Sequence, residues 1–216
     1  EEALAIAVAM REALETKNKT VALVTPDRTL ARRVVAALAR WNVEVDDSGG
    51  DALADTSAGL FARLAAEVAL DGLEPVPLLA LLKHPLFRLG RRQATYDHAV
   101  TVLERAILRG PRPRSGSEGL AHALTTFRVS QDGLHASDLR RYIRNDELDA
   151  ATALIDKLTA ALMPLEKLKS GEHPFGALAK CHRDAIAALT VDETGEAAAL
   201  VTHDGWRRTI DAPDAV

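Results

Sequence analysis

The chain has 216 residues, 47% of them hydrophobic but only 4% aromatic, and a net charge of −4. Alanine and leucine supply the apolar quota, which favours packed helices over sandwiches or barrels. A single cysteine, Cys181, excludes an internal disulfide framework and a cysteine-based zinc or iron–sulfur site. The charge argues against a small, uniformly basic nucleic-acid binder. No apolar run nears the roughly 20 residues of a membrane span, so a cytoplasmic protein without membrane contact is expected. The opening, "EEALAIAVAMREAL", lacks Met and starts in helical pattern, as an internal piece of a longer chain would.

Residues 1–15 carry Ile6, Met10 and Ala13 at helical spacing, with Arg11 and Glu12 outward. Val21 to Val24 form a short apolar, partly β-branched run of the kind found in buried strands. Thr25 followed by Pro26 predicts a capped helix start. Leu30, Val34, Leu38 and Trp41 share one face of that helix, and Asn42 ends it before "VEV" at 43–45. Strand, helix and strand within about 25 residues predict a parallel, right-handed βαβ crossover. After "DDSGG" at 46–50 the pattern becomes helical throughout. Thr56 caps a helix reaching Leu70, Pro77 opens another that stops before Pro85, and residues 93–109 form a third. That third helix points Tyr96, Val100, Leu103 and Ile107 inward. "GPRPRSGSEG" at 110–119 reads as a linker, and helices follow near 119–129, 147–169 and 174–190, with Pro164 predicting a kink. The expected fold is mainly α with a small α/β part, divided into residues 1–56 and an all-helical 57–216.

No catalytic constellation stands out. "GxxxxGK[ST]" is absent, so a Walker-type phosphate loop is not expected. Asp46, Asp47 and Asp51 would repel a phosphate, which favours a solvated turn over a ligand loop. The seven histidines (84, 98, 122, 135, 173, 182 and 203) make no HxxxH or HExxH pair. Cys181 and His182 are neighbours on a helix and diverge by about 100°, so a buried structural thiol is favoured over a reactive pair. No catalytic, metal or cofactor residue is assigned. Charge is more informative: residues 83–114 hold eight lysines and arginines against Asp97 and Glu104. Arg88, Arg91, Arg92, Arg105 and Arg109 are the candidate DNA-phosphate contacts, with Arg140, Arg141 and Arg144 as a smaller second cluster. A solvated helix face is the alternative.

Four segments carry a family resemblance: "VALVTPDRTLARRVVAALARWNVEVDDSGG", "LLALLKHPLFRLG" at 78–90, and the later "LRGPRP" and "GEAAAL". Their order resembles the AddB subunit of AddAB-type helicase–nucleases, within the UvrD/RecB helicase superfamily. The resemblance implies a degenerate RecA-like, helicase 2A-type unit followed by a helical 2B-like domain. It implies a part in processing DNA double-strand breaks for recombination, with DNA and an AddA-like subunit as partners. Active motors of the superfamily place a phosphate-contacting arginine where "VALVTPDR" places Thr25, so the resemblance implies lost motor chemistry and no cofactor in this segment. Nuclease and iron–sulfur parts would lie elsewhere in the parent chain. Two rivals remain open: a working ATP-dependent helicase piece using Arg28, and a purely protein-interaction helical domain.

Overall fold

The computed structural model describes residues 1–50, 52–92 and 94–197. The chain divides into two compact units, Glu1–Asp51 and Ala52–Val216. His203 and the last three residues of "GEAAAL" lie outside the described residues.

In the first unit, α1 (Glu2–Leu14) packs on α2 (Arg28–Ala39). Ala3 and Ala7 of α1 meet Val34, Ala37 and Leu38 of α2 in a small core, with Ile6, Met10, Leu23, Leu30, Trp41 and Val43 partly buried against it. The inward face of α1 is thus centred on two alanines, one turn apart, with Ile6 and Met10 beside it. Arg11 lies over the Trp41 ring, 5.0 Å from its centroid, and extends that packing with a cation–π contact.

The start of α2 differs from the sequence expectation in which residue caps it. Asp27, not Thr25, accepts hydrogen bonds from the N–H groups of Thr29 and Leu30, at 2.8 and 3.1 Å. The Thr25 hydroxyl oxygen accepts from the Asp27 N–H, so threonine holds the cap rather than being it. Asn42 adopts φ +55, a left-handed conformation that asparagine tolerates well, and ends the helix as expected.

The βαβ crossover is not formed: no strand or sheet is present among the described residues, apart from an isolated antiparallel bridge between Val191 and Ala197. Residues 20–25 and 43–45 instead flank α2 as unpaired segments. Their side chains still alternate in part, with Val21, Leu23 and Val43 half-buried and Val24 fully outward. Two physical reasons stand out. The Val43 N–H bonds back to the Leu38 carbonyl, closing the helix end rather than joining a ladder. What remains of "VEV" is too short to hold a two-stranded ladder on its own.

Among its described residues the second unit is helical but for that bridge and its loops: α3 (Ser57–Leu70), α4 (Pro75–Leu82), α5 (Ala94–Leu103), α6 (Ser117–Ser130), α7 (Asn145–Glu166) and α8 (Phe175–Thr190). The mainly α expectation therefore holds. The long α7 is the centrepiece, packed by α3, α5, α6 and α8. Its buried Leu148, Ala151, Ile155, Leu158, Leu162 and Leu165 recur at three- and four-residue steps, one continuous stripe. Glu147 fixes its start by accepting from the Arg144 N–H at 2.7 Å. Pro164 sits inside its last turn.

Two further starts are worth noting. Thr56 caps α3 as expected, its hydroxyl accepting from the Gly59 N–H at 3.0 Å. By contrast α4 opens at Pro75 rather than Pro77, since proline at the first helical position loses no hydrogen bond. The segment between α5 and α6 is also more than a tether. Gly116 N–H bonds to the Gly72 carbonyl, and both the N–H and hydroxyl of Ser117 donate to the Glu166 carboxylate. Gly72 has φ +81 and a Cβ there would meet the Ser115 hydroxyl at 1.8 Å, so this seam requires glycine.

Candidate nucleic-acid interface

The five candidate arginines fall into two groups at opposite ends of α5. Arg88, Arg91 and Arg92 precede the helix, whereas Arg105 and Arg109 lie in and just beyond the helical turn that follows it. A 15-residue helical rise separates the groups by about 20 Å.

The first group sits on a loop tied to the end of α8. The N–H groups of Arg88 and Leu89 both bond to the Leu189 carbonyl, and Gly90 N–H bonds to Val191. Leu89 is buried with φ +49, a left-handed conformation that is uncommon for leucine. The Tyr96 hydroxyl donates to its carbonyl and Lys157 in turn donates to that hydroxyl, which holds the loop in place. The arginine side chains themselves are partly committed. Arg88 donates to the carbonyls of Pro85 and Phe87, and Arg92 pairs with Glu193 at 2.9 Å. Arg91 is exposed.

The second group is built by a π-helical turn, Glu104–Leu108, that completes α5. Arg109 N–H bonds to the Glu104 carbonyl, five residues back, at 3.1 Å. In an α-helix a side chain five residues on points about 140° away. The wider π turn brings the two together, and Arg109 grips the Glu104 carboxylate through both Nε, at 2.9 Å, and Nη2. Lys83 of the α4 end donates to the other carboxylate oxygen at 2.6 Å. Glu104 is 7% exposed, and a carboxylate so placed is sustained only by paired cations. Lys83, and then Arg109, hold its pKa below the ordinary 4.5.

Beside this pair lies an open notch of about 430 Å³ lined by Arg105, Arg109, Gly110, Pro111, Asp138 and Arg140. Arg140 comes from the short 3-10 turn before α7 and forks onto Asp138 through Nε and Nη2, the latter at 2.6 Å. That fork pulls the Asp138 pKa down to about 2. Both pairs use Nε and Nη2, leaving each arginine its Nη1 group. Arg105 is exposed and has no side-chain partner among the described residues. Three guanidinium groups therefore surround one concavity that contains a single carboxylate. Rigidly held arginines lose little entropy on meeting an anion, and their fork geometry suits phosphate oxygens.

In the sequence Arg140 belongs to a separate cluster, whereas the fold brings it to Arg105 and Arg109. Its companions Arg141 and Arg144 turn elsewhere, to the Leu134 carbonyl and to Asp146. Proximity in sequence likewise misjudged Arg88 and Arg92, which are near Arg105 in number but an entire helix away. Nothing in the residue pattern marks 104–108 as a π turn, so the Glu104–Arg109 grip had no sequence signal.

Among the described residues, other polar groups offer no competing centre. Arg28 forks onto Asp47 at 2.9 and 2.8 Å and also donates to the Gly50 carbonyl, which makes "DDSGG" a turn clasped by arginine. The same fork lowers the Asp47 pKa to about 2. His182 bonds to the Ala62 carbonyl and Cys181 is half-buried. His84 is buried against the Phe61 ring, its Nδ1 accepting from Leu86 N–H, and burial lowers its pKa. Among the described residues no group of three histidine, cysteine, aspartate or glutamate side chains could hold a metal, and no helix is long and apolar enough to cross a membrane. Comparison with protein-family models, curated proteins and solved structures gives no match for this chain.

Proposed function

We propose that this chain is the DNA-guiding, helical part of an AddB-like subunit, acting within a complex that processes double-strand breaks for recombination. In that reading the second unit plays the 2B-like role, the motor chemistry is lost from this segment, and catalysis and cofactors lie elsewhere. An AddA-like subunit is its partner and the cytoplasm its place. One observation carries the reading toward DNA: Arg105, Arg109 and Arg140 line one notch, two of them pre-positioned by carboxylates. Such a site neutralises backbone phosphate without reading bases, as a guide for a passing strand must. The rival use of Arg28 in ATP hydrolysis is disfavoured because Asp47 and Gly50 already occupy its guanidinium.

The test is anisotropy of a labelled oligonucleotide, single-stranded and duplex, titrated with the chain across a salt series. Each phosphate contact contributes about 0.7 to 0.9 to the slope of log affinity against log salt. Arg105→Ala with Arg140→Ala is expected to flatten that slope by close to two contacts and to weaken binding most at low salt. Arg92→Ala, at the far end of α5 and paired with Glu193, is expected to change it less. An unchanged slope in the double variant, or no binding by the wild type at low salt, overturns the reading.

A further inference from the structure

Glu104 and Arg109 also line a second concavity, an open groove of about 450 Å³ between α4 and the π turn. Its floor is apolar: Pro75, Val76, Leu79, Ala80 and Leu108. The sequence of α4, "PVPLLALL", has no polar side chain on any face. Leu78, Leu81 and Leu82 account for its inner face, fully buried in the core. Its outer face is left uncovered, and Val76 is 80% exposed. A helix that is apolar all round is ordinarily buried on every side. Large exposed apolar patches rimmed by polar groups mark interaction sites.

The rim has a definite sign. Lys83 and Arg109 stand at one end, both largely exposed, sharing the single buried carboxylate of Glu104. Two cations over one anion leave the end of the groove net positive. Arg112, pairing with Glu74 at 2.6 Å, contributes no net charge. The π turn that builds this end is a form of backbone found often at functional sites.

The geometry points to this groove as the docking site for an acidic amphipathic helix of a partner protein. Aliphatic side chains one turn apart would cover Val76, Leu79 and Leu108, and a carboxylate beside them would meet Lys83 and Arg109. Charge decides the choice of occupant. A basic helix would face two cations, and a nucleic acid would gain nothing from an aliphatic floor. The site is separate from the phosphate notch in everything but Arg109, so one can fail while the other stands.

The experiment uses two labelled synthetic helices of about 15 residues, long enough to sample helix in water. One carries leucines at i, i+4 and i+7 with flanking glutamates, and the other has lysines in place of those glutamates. Anisotropy against the intact chain is expected to show the acidic helix binding about tenfold more tightly, a difference of about 1.4 kcal/mol. Val76→Asp, a change at an exposed position, is expected to abolish that binding while leaving oligonucleotide binding unchanged. Lys83→Glu is expected to reverse the preference between the two helices. Equal binding of both helices, binding of neither, or indifference to Val76→Asp overturns the proposal. Loss of oligonucleotide binding by the wild type with the acidic helix still bound overturns only the DNA reading.

Discussion

The two units use the same helical vocabulary to different depths. The first rests on five buried residues, three of them alanine, between two helices. The second wraps four helices around α7 and buries Phe61, Phe87 and a series of leucines completely. Buried area scales with size, so a unit of about 50 residues is marginal where one of about 150 is not. The contrast teaches that local order here is not set by helix propensity, which is high in both. It is set by how much apolar side chain each helix can cover. Neighbours for 20–25 and 43–45 are what the first unit lacks, and its two extended runs stay unpaired.

The largest test of this contrast is a matched pair of core truncations. Leu154→Ala, deep in α7, is expected to cost about 2–5 kcal/mol in urea unfolding, because well-packed surroundings cannot collapse into the cavity. Leu38→Ala in the first unit is expected to cost less, since its thin core has room to relax. Equal losses would break the comparison. Hydrogen exchange adds the spatial view: amides of 20–25 and 44–45 should exchange early, and those of α7 last. Protection of the extended runs at the level of α7 would mean that they are paired in solution.

An intermediate effect is expected at the cap of α2. Asp27→Ala removes the acceptor for two N–H groups and should cost about 1 kcal/mol. If the units unfold separately, the loss appears only in the transition of the first. Circular dichroism against denaturant reads both.

Glu104 gives the second unit an acid-sensitive element. Its pKa is depressed in the folded chain, so its contribution is full above its ordinary value of 4.5 and is lost as pH falls through the lower folded value. Glu104→Gln should therefore flatten the stability profile below pH 4.5, and the wild type alone should lose stability there. An identical acid limb in both proteins would show that Lys83 and Arg109 do not hold this carboxylate. The smallest effect belongs to Arg92→Ala. This surface ion pair, with Arg92 79% exposed, should contribute less than about 1 kcal/mol, within the scatter of a thermal melt.

Much of the second unit was legible in the residues themselves. Thr56 and the stop before Pro85 are local signals whose chemistry acts within a turn, as is Asn42 in the first unit. The inward residues of α5 followed from helical spacing and are buried. Strand pairing was not legible, because a β-branched run states only that a segment favours extension. Whether a ladder forms depends on a neighbour for its N–H groups, and Val43 spends its own on Leu38. The notch was half legible: the charges of Arg105, Arg109 and Arg140 were visible, but their grouping was not.

The sequence by itself determined that the chain is mainly helical, where α3 starts and α2 and α4 stop, which residues of α5 face inward, and that positive charge gathers around α5. These properties reside in single residues and in spacings of three and four. Tertiary structure alone decided which arginines meet. A 3-10 turn some 30 residues downstream delivers Arg140, and one π turn swings Arg109 onto Glu104. It also decided that the outer face of α4 stays bare. Side-chain convergence depends on the packing of whole helices, and no local pattern encodes the angle at which they meet.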